Sequence, residues 1–414
     1  MTSQHISIWT ISILTILAII VRPRSIPEYI WGVAGAALLV VFGLVSIPAA
    51  AGAVRRGADV YMFLVGMLAL AELARCQGVF AWLADLALRA ARGSRRRLFL
   101  LVYGVGVAVT TFLSNDATAV VLTPAVIAVL SRTDADPMPY LYACAFVAGA
   151  ASFILPISNP ANLVVFGRHL PPLAIWLGEF FPAALAAVLG TMFMLYVLFH
   201  RRLRGGFELR GTAHALDRSG RIAFAAIAVS TAVLIGVTAF GGPIGISTLA
   251  LGVLSTAIVR ASGGAVLRSL GRGIAWSIVP LVAALFVIVQ ALSSTGALST
   301  VAAFFHSAAQ LAPLPGKLLI GTVVTMTDNL LNNLPVALGA HFAFSDGSVT
   351  PHLVHATLVA VDLGPNLAVT GSLATILWLL ALRRARIIVT PWQFLRIGFC
   401  VLTGPLLLAL FFVR

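Results

Sequence analysis

The sequence predicts an all-α polytopic membrane protein, and three observations predict it. Of 414 residues, 27 are Lys or Arg and 13 are Asp or Glu, so 10% are charged, while 60% are hydrophobic. Soluble globular chains carry about 25% charged residues, and disordered chains carry far less apolar sequence. Both classes are excluded. The apolar residues also fall in long charge-free runs, and the basic residues gather between them. The net charge is +14, yet the basic residues are all Arg except Lys317 and sit in short clusters between apolar runs. Positive charge in that position orients loops toward the cytoplasm, so no nucleic-acid partner is expected.

Taken in order, the run at 6–21 has no Lys or Arg before it and reads as a first membrane helix rather than a cleaved leader. Further runs lie at 31–54, 60–74, 97–115, 117–131, 137–167 and 180–200. The stretch 222–259 is broken by Gly241-Gly242-Pro243, and 273–316 by Ser293-Ser294-Thr295-Gly296. Each is long enough for two helices. Runs at 329–345, 363–382 and 397–413 complete the chain, for about ten to twelve membrane segments, some too short to cross alone.

The segment 80–92 places apolar and basic residues at helical spacing and reads as an interfacial helix. It leads into Arg89, Arg92, Arg95, Arg96 and Arg97. Six Arg between 201 and 221 form a second cluster, Arg260, Arg268 and Arg272 a third, and Arg383, Arg384 and Arg386 a fourth. All four are assigned to the cytoplasmic side, which requires two segments that enter and leave by one face. The polar stretch 201–221 is then a cytoplasmic linker between an N-terminal membrane repeat, 1–200, and a C-terminal one, 222–414.

That division invites a search for duplication. Leu113-Ser114-Asn115-Asp116-Ala117 can be laid on Leu331-Asn332-Asn333-Leu334-Pro335, which equates Asn115 with Asn333. Pro160-Ala161-Asn162 can be laid on Gly364-Pro365-Asn366, which equates Asn162 with Asn366. The order is the same in both halves. Unwound backbone is tolerated at membrane depth only where it is buried in protein or lines a watery cavity. Four such interruptions therefore point to one shared central site.

Asp116 is the sharpest single residue. A carboxylate inside the membrane is costly unless paired, hydrated or protonated, so it serves as an ion ligand, a proton carrier, or the cap of the following half-helix. Asp328 stands one turn before Asn332 on the same helix face, and Asp362 immediately precedes Gly364-Pro365-Asn366. Glu72 has Arg75 three residues on and reads as a structural pair. The carboxamides of Asn115, Asn162, Asn333 and Asn366 offer donors and acceptors, and Ser114, Thr118, Ser158, Thr370 and Ser372 add hydroxyls. Such groups suit a neutral polyhydroxylated solute, an oxyanion or a sodium ion. Half-helix N-termini would favour electron-rich oxygens. No Arg or Lys lies inside the four motifs, the nearest being Arg168, which favours a neutral substrate over a dianion.

Walker, HExxH and GxSxG patterns are missing, so neither enzyme chemistry nor a cofactor is expected. His352 and His355, near Ser345-Asp346-Gly347, read as a solvated loop rather than a metal site. Cys76, Cys144 and Cys400 form no CxxC pair and read as small apolar packing residues.

These motifs resemble those of the ArsB-type arsenite and antimonite efflux permeases of the ion transporter superfamily. Asp362-Leu363-Gly364-Pro365-Asn366 followed by Gly371-Ser372-Leu373-Ala374-Thr375-Ile376-Leu377-Trp378 is similar to that family's DLGP…GSLATLLW signature. Ser114-Asn115-Asp116-Ala117 with Leu122-Thr123-Pro124 resembles its ND-plus-LTP motif, Asn332-Asn333-Leu334-Pro335 its NNMP motif, and Ser158-Asn159 with Asn162 its SNxxN hairpin. The resemblance implies two inverted repeats, each with a re-entrant hairpin and a broken helix. It implies a multi-pass inner-membrane permease that exports arsenite and antimonite as neutral trivalent hydroxides by proton antiport. A soluble ATPase subunit and a homodimer are the partners it suggests, besides the lipid bilayer.

On this reading Asn115, Ser158, Asn159, Asn162, Asn332, Asn333, Asn366, Thr370 and Ser372 bind substrate, and Asp116, Asp328 and Asp362 couple the proton. The chain departs from the family in three places. Asn366 stands where Lys is common, Gly149 and Ala150 stand where an acid is common, and Asp328 is an additional acid. A sodium/proton antiporter or a carboxylate transporter of the same superfamily would use the same residues. A membrane anchor without transport activity is the rival from another class.

Overall fold

Inside hydrocarbon each backbone N–H and C=O must find a partner within the protein, which restricts an open apolar chain to helices. The computed structural model of the chain obeys this constraint. It describes residues 3–167, 170–209, 215–264, 271, 273, 274, 276–344 and 349–414. Among the described residues no strand forms, and one isolated bridge pairs Ser94 with Gly206. Arg168, Arg268, Arg272, residues 210–214 of the linker and the Ser345-Asp346-Gly347 loop lie outside the described residues.

The first half runs α1 (Ser3–Val21), α2 (Glu28–Val41), α3 (Ile47–Arg56), α4 (Ala58–Cys76), α5 (Val79–Ala90), α6 (Arg95–Phe112), α7 (Asn115–Leu130), α8 (Met138–Ala150), α9 (Pro160–Phe166) and α10 (Leu173–Phe199). The second half runs α11 (Arg218–Ala239), α12 (Ile244–Ala261), α13 (Ile278–Ser293), α14 (Ala297–Ala309), α15 (Pro313–Leu331), α16 (Asn333–Phe344), α17 (Pro351–Leu363), α18 (Leu373–Arg384) and α19 (Pro391–Phe412). The runs 222–259 and 273–316 each divide into two helices where the Gly-rich and Ser-rich breaks predict it. Five described helices, α1, α10, α11, α12 and α19, are long and apolar enough to cross a membrane, and α3 with α4, bent by 47°, makes a sixth. Others, such as α2, α7, α8 and α13, are apolar but shorter.

α4 packs along α12, and α10 along α19. Buried aromatic groups find backbone acceptors: Tyr103 Oη donates to Val188 O at 2.7 Å, Trp176 Nε1 to Phe153 O at 3.1 Å and Trp378 Nε1 to Leu141 O at 3.0 Å. The predicted helix at 80–92 forms as α5, with Phe80, Ala84, Ala87 and Leu88 buried. Asp85 on that buried face takes Arg89 at 2.7 Å and Arg132 at 2.6 Å, an ion-pair set that the sequence reading passed over.

The two halves repeat one succession of elements. A helix breaks and restarts (α6 to α7, α15 to α16), then a hairpin follows (α8 to α9, α17 to α18). The hairpin loops 151–158 and 364–371 are equal in length, and the outgoing helices are capped by Asn159 and Ser372. The helix ends therefore equate Asn159 with Ser372 and Gly149 with Asp362. The pairing of Asn162 with Asn366 is corrected: a three-residue motif can slide along a loop, whereas helix termini cannot. Asn115 and Asn333 keep their equivalence as the first residues of α7 and α16.

Two of the four Arg clusters meet. The Phe207 N–H donates to Gly93 O at 2.8 Å, Arg95 pairs with Asp134 at 2.9 Å, and Arg202 pairs with Asp136 at 3.0 Å. The Glu208 N–H, aided by Arg95, holds the Asp134 carboxyl below the usual carboxylate range. The expected orientation puts this edge in the cytoplasm. In a cysteine-free background, Arg204→Cys and Arg384→Cys should react with a membrane-impermeant maleimide from the cytoplasmic face. Labelling of intact cells from outside would overturn the orientation.

Candidate substrate site

The site is built at the four interruptions, and each is held by its own side chains. Ser114 caps α7, its hydroxyl accepting the Ala117 N–H at 3.1 Å, while Asn115 Oδ1 accepts the Asp116 N–H at 2.8 Å. The capping role considered for Asp116 therefore belongs to Ser114 and Asn115. Pro124 lacks an N–H, and the turn ahead of it, Thr118–Leu122, widens to a π-helix, a common response to a missing backbone donor. At the second break Asn332 adopts φ 75°, a region costly for a side-chain-bearing residue. Its N–H donates to Asp328 O at 2.7 Å, its Oδ1 accepts the Leu334 N–H at 3.4 Å, and its Nδ2 donates to Thr370 O at 3.4 Å. Pro335 falls in the first turn of α16, where its missing N–H leaves no gap.

The hairpins are tied in the same way. Asn159 caps α9 by accepting the Ala161 N–H at 3.0 Å and donates through Nδ2 to Asp362 Oδ1 at 2.6 Å. That bond joins one hairpin to the other. Asn162 donates to the carbonyls of Ser152, Leu155 and Pro156 at 3.0–3.4 Å. Ser158 accepts the Leu155 N–H at 3.2 Å and donates to Thr111 O at 3.0 Å, fastening the hairpin to α6. In the second hairpin Asn329 plays the corresponding part, donating to Thr325 O and Gly364 O at 2.7 and 2.9 Å and accepting the Ala368 N–H at 2.8 Å.

Between these parts lies a cleft of about 310 Å³, its mouth included, whose polar lining is Asn115, Asn333, Asp362, Asn366, Ser372 and Thr375. Ala145, Ala148, Gly149, Pro365 and Trp378 wall it. The N-termini of α7, α16 and α18 converge on it through Asn115, Asn333 and Ser372. Each brings the positive end of a helix dipole. Among the described residues no Arg or Lys lines the cleft; its one charged group is Asp362. Asn366 donates to Phe146 O at 2.9 Å, and its carboxamide lies directly over Gly149, within 3.0 Å of where a methyl group on that residue would sit. A side chain at position 149 would require the Asn366 amide to move.

Five of the predicted residues, Asn115, Asn333, Asn366, Ser372 and Asp362, thus share one cleft, and Asn159 adjoins it through Asp362. Ser158 and Asn162 are fully buried outside the cleft lining, and their bonds fasten the hairpin loop, Asn162 Oδ1 alone having no partner. Asn332 and Thr370 line a second, mostly apolar cleft with Ile16, Ile19, Leu281 and Leu285, where Arg22 and Glu28 pair at 3.0 Å. Asp116 is half-buried and outside the cleft lining, because its side chain follows Asn115 by about 100° around the helix. Asp328 is wholly buried on α15, behind Gly364.

Glu72 pairs with Arg75 at 2.5 Å, as its spacing predicts. Cys144 is buried, but Cys76 donates to Glu72 Oε1 at 3.2 Å and Cys400 is exposed, so the packing role holds for Cys144 alone. His352 and His355 stand in the first turns of α17 rather than in a loop. The His355 ring is buried, its Nδ1 2.5 Å from Arg414 O and its Nε2 3.4 Å from the Glu179 carboxylate.

Thr375 and Trp378 are cleft residues that the sequence reading left without a role. Their spacing from Ser372, three residues and then three more, puts them on one helix face and could have flagged them.

Two classes of Asn should separate experimentally. Asn162→Ala leaves three buried carbonyls short of a donor and should lower stability by about 1–3 kcal/mol, seen as a lower Tm and less folded protein. Asn333→Ala should leave Tm nearly unchanged, Asn115→Ala should cost only the α7 capping bond, about 1 kcal/mol, and each should raise the transport KM about tenfold, one lost hydrogen bond. Equal behaviour of the three variants would contradict the division.

The citrate-transporter family profile (CitMHS) matches residues 14–362. The chain is 26% identical to the arsenical pump membrane protein of Escherichia coli strain K12 over 96% of its own length and 95% of that protein. It is 22% identical to the putative arsenical pump membrane protein of Bacillus subtilis strain 168, over 89% and 90% of the two chains. Among solved structures, the YdaH transporter of Alcanivorax borkumensis superposes with a TM-score of 0.58 at 15% identity, covering 87% of this chain and 86% of that one. That likeness concerns the fold. With the family profile spanning most of the chain, and the duplicated breaks and shared cleft in place, the chain belongs to the citrate-transporter (CitMHS) family of membrane transporters, on the arsenical-pump side of its resemblances.

Proposed function

We propose that the chain is a secondary transporter of the inner membrane that exports arsenite and antimonite, as neutral trivalent hydroxides, by proton antiport. One observation carries this reading. Three half-helix N-termini, neutral carboxamides and hydroxyls, and a single carboxylate form the described cleft, and no cation lines it. A citrate or succinate anion would face Asp362 with no Arg or Lys to balance it, and like charges at close quarters are repelled strongly in a poorly screened interior. A neutral trihydroxide can donate to Asp362 and to amide oxygens and accept from amide N–H groups.

Asp362 also offers the coupling step. As an ionised acceptor it holds Asn159 in a charge-assisted bond across the hairpins. Taking up a proton weakens that tie and frees the hairpins to move, so proton and substrate would compete at one carboxyl group. Asp116 and Asp328 stand behind the cleft as further proton carriers. The two halves, on this reading, are inverted repeats that rock around the fixed site. The rival reading is carboxylate transport, which the family description favours.

Counterflow in proteoliposomes separates the two. Arsenite and antimonite should exchange, while citrate and succinate should not; the reverse result would decide for the carboxylate reading. Asp362→Asn and Asp116→Asn should each yield folded protein in which an imposed pH gradient no longer drives arsenite exit. Undiminished gradient-driven exit in either variant would remove that residue from the proton path.

A further inference from the structure

Arg22 and Arg24 belong to none of the four Arg clusters. They flank Pro23 in the turn between α1 and α2, both with positive φ, 48° and 57°, a region costly for a side-chain-bearing residue. Arg22 Nη2 pairs with Glu28 Oε2 at 3.0 Å, but Arg22 Nε is buried and without an acceptor among the described residues. Trp31, one turn along α2 from Glu28, keeps its Nε1 buried in the same condition. Both atoms can only donate, and buried donors are rarely left unpaired. The junction of α1 and α2 is short of acceptors.

Against this junction lies the second cleft, about 550 Å³ with its mouth, lined by Arg22 and Glu28. Its walls are aliphatic: Ile16 and Ile19 of α1, Leu281 and Leu285 of α13, Leu373 and Ile376 of α18. Asn332 and Thr370 also line it, but they are already bonded, to the Leu334 N–H and to Asn329 O. Water and small polar solutes find few partners on such walls, and a helix, about 10–12 Å across, is too broad for the space. A flexible hydrocarbon chain is not. α1 is long and apolar enough to cross a membrane, and Leu14, Leu17 and Val21 on its other face are exposed. Lipid therefore surrounds the helix that borders the cleft.

The junction sits on the side of the Arg clusters. Gly273, just ahead of α13, faces Glu72 near the end of α4, and α4 leads through α5 into the first cluster. Leu281, in the first turn of α13, meets Gly32 of α2, which also meets Ile19 of α1. On the expected orientation this is the cytoplasmic leaflet, where anionic lipids concentrate and basic pockets between membrane helices hold their headgroups.

We propose that this cleft is a site for one anionic phospholipid, with an acyl chain between α1, α13 and α18 and the phosphate held by Arg22 and Arg24. Guanidinium groups suit phosphate oxygens in geometry as well as charge, and the phosphate supplies the acceptors that the junction lacks. The second break then rests on lipid through Leu331, Asn332, Leu334 and Pro335, while Asn333 borders the substrate cleft. The site involves neither the substrate nor the coupling ion, so it goes beyond the transport reading.

The test reads lipid binding directly. The purified full-length chain in a neutral detergent is titrated with dioleoylphosphatidylglycerol. Dioleoylphosphatidylcholine supplies the same chains under a zwitterionic headgroup, and glycerol phosphate supplies the phosphate without chains. Tm is followed, and bound lipid is counted by native mass spectrometry. The wild-type chain should retain one phosphatidylglycerol, and its Tm should rise saturably at about tenfold lower concentration than with phosphatidylcholine. Glycerol phosphate should have no effect. Arg22→Gln and Arg24→Gln should each erase the preference, and Ile19→Trp, which fills the cleft, should remove the retained lipid. Arg24 is exposed, so Arg24→Gln keeps the test open should loss of the Glu28 pair unfold Arg22→Gln. Equal responses to the two lipids, or a preference unchanged in Arg24→Gln with a lipid count unchanged in Ile19→Trp, would overturn the site. A response to glycerol phosphate equal to that of the lipid would overturn it too, leaving a simple phosphate site. The predicted lipid preference in a chain that moves no arsenite would sink the transport reading and not this one.

Discussion

The constraint on which the rest of the structure depends is that backbone polar groups inside hydrocarbon must be satisfied within the protein. Continuous helices satisfy them automatically; four interruptions do not. Each interruption needs local donors and acceptors, and this explains why short polar residues crowd there. Asn162 binds three carbonyls of one loop, and Asn329 binds one carbonyl and one N–H of the other, together with Thr325 O of its own helix. The half-helix starts are capped by side chains of the same motifs, Ser114 and Asn115 on α7, Asn332 on α16 and Ser372 on α18, and these helix ends border the cleft. The polar lining of the cleft is thus a by-product of the same backbone requirement.

That order of demands also explains what the sequence could show. Helix number and placement were legible because apolar runs and Gly- or Ser-rich breaks are composition-level signals, as at 222–259 and 273–316. The breaks at Asn115 and Asn333 were legible because polar residues in apolar sequence have few bland explanations. The distinction between loop fastener and cleft residue was not legible. Asn162 and Asn333 are the same residue type in equally polar surroundings; what separates them is whether three carbonyls lie within reach, a property of the closed loop. Thr375 and Trp378 escaped notice because, inside a regular helix, their face is set only once Ser372 is fixed as the cap. The register between hairpins was misread for a related reason: matching Asn to Asn follows letters, whereas the fold matches helix ends.

The hairpin register sharpens the asymmetry between the halves. Asp362 and Gly149 occupy equivalent positions at the ends of α17 and α8, and each meets the opposite hairpin. Asp362 receives Asn159, and Gly149 receives the Asn366 carboxamide. One contact is a 2.6 Å bond from an amide to a carboxyl group. The other is a neutral steric fit against backbone, with no titratable group in it. The two hairpins thus meet through one contact that contains a titratable group and one that does not.

This asymmetry also accounts for two departures from the arsenite-permease pattern. An acid near position 149 and a Lys at 366 would lie against one another across the hairpins, as an ion pair beside the cleft. Here both charges are absent together, Gly149 making room for the shorter Asn366. Restoring one alone would be unfavourable twice over: a side chain at 149 collides with the Asn366 amide, and a lone buried charge finds no partner. The paired loss keeps the cleft free of a fixed cation and leaves Asp362 as its one charge. The third departure, Asp328, then has a physical consequence. It adds a second buried carboxyl group on α15, behind the Gly364 backbone, without a positive residue to pair it among the hydrogen bonds and ion pairs of the described residues. A carboxyl group buried in that way is costly to ionise, so the charge state of α15 and the packing of the second hairpin loop against it are physically linked.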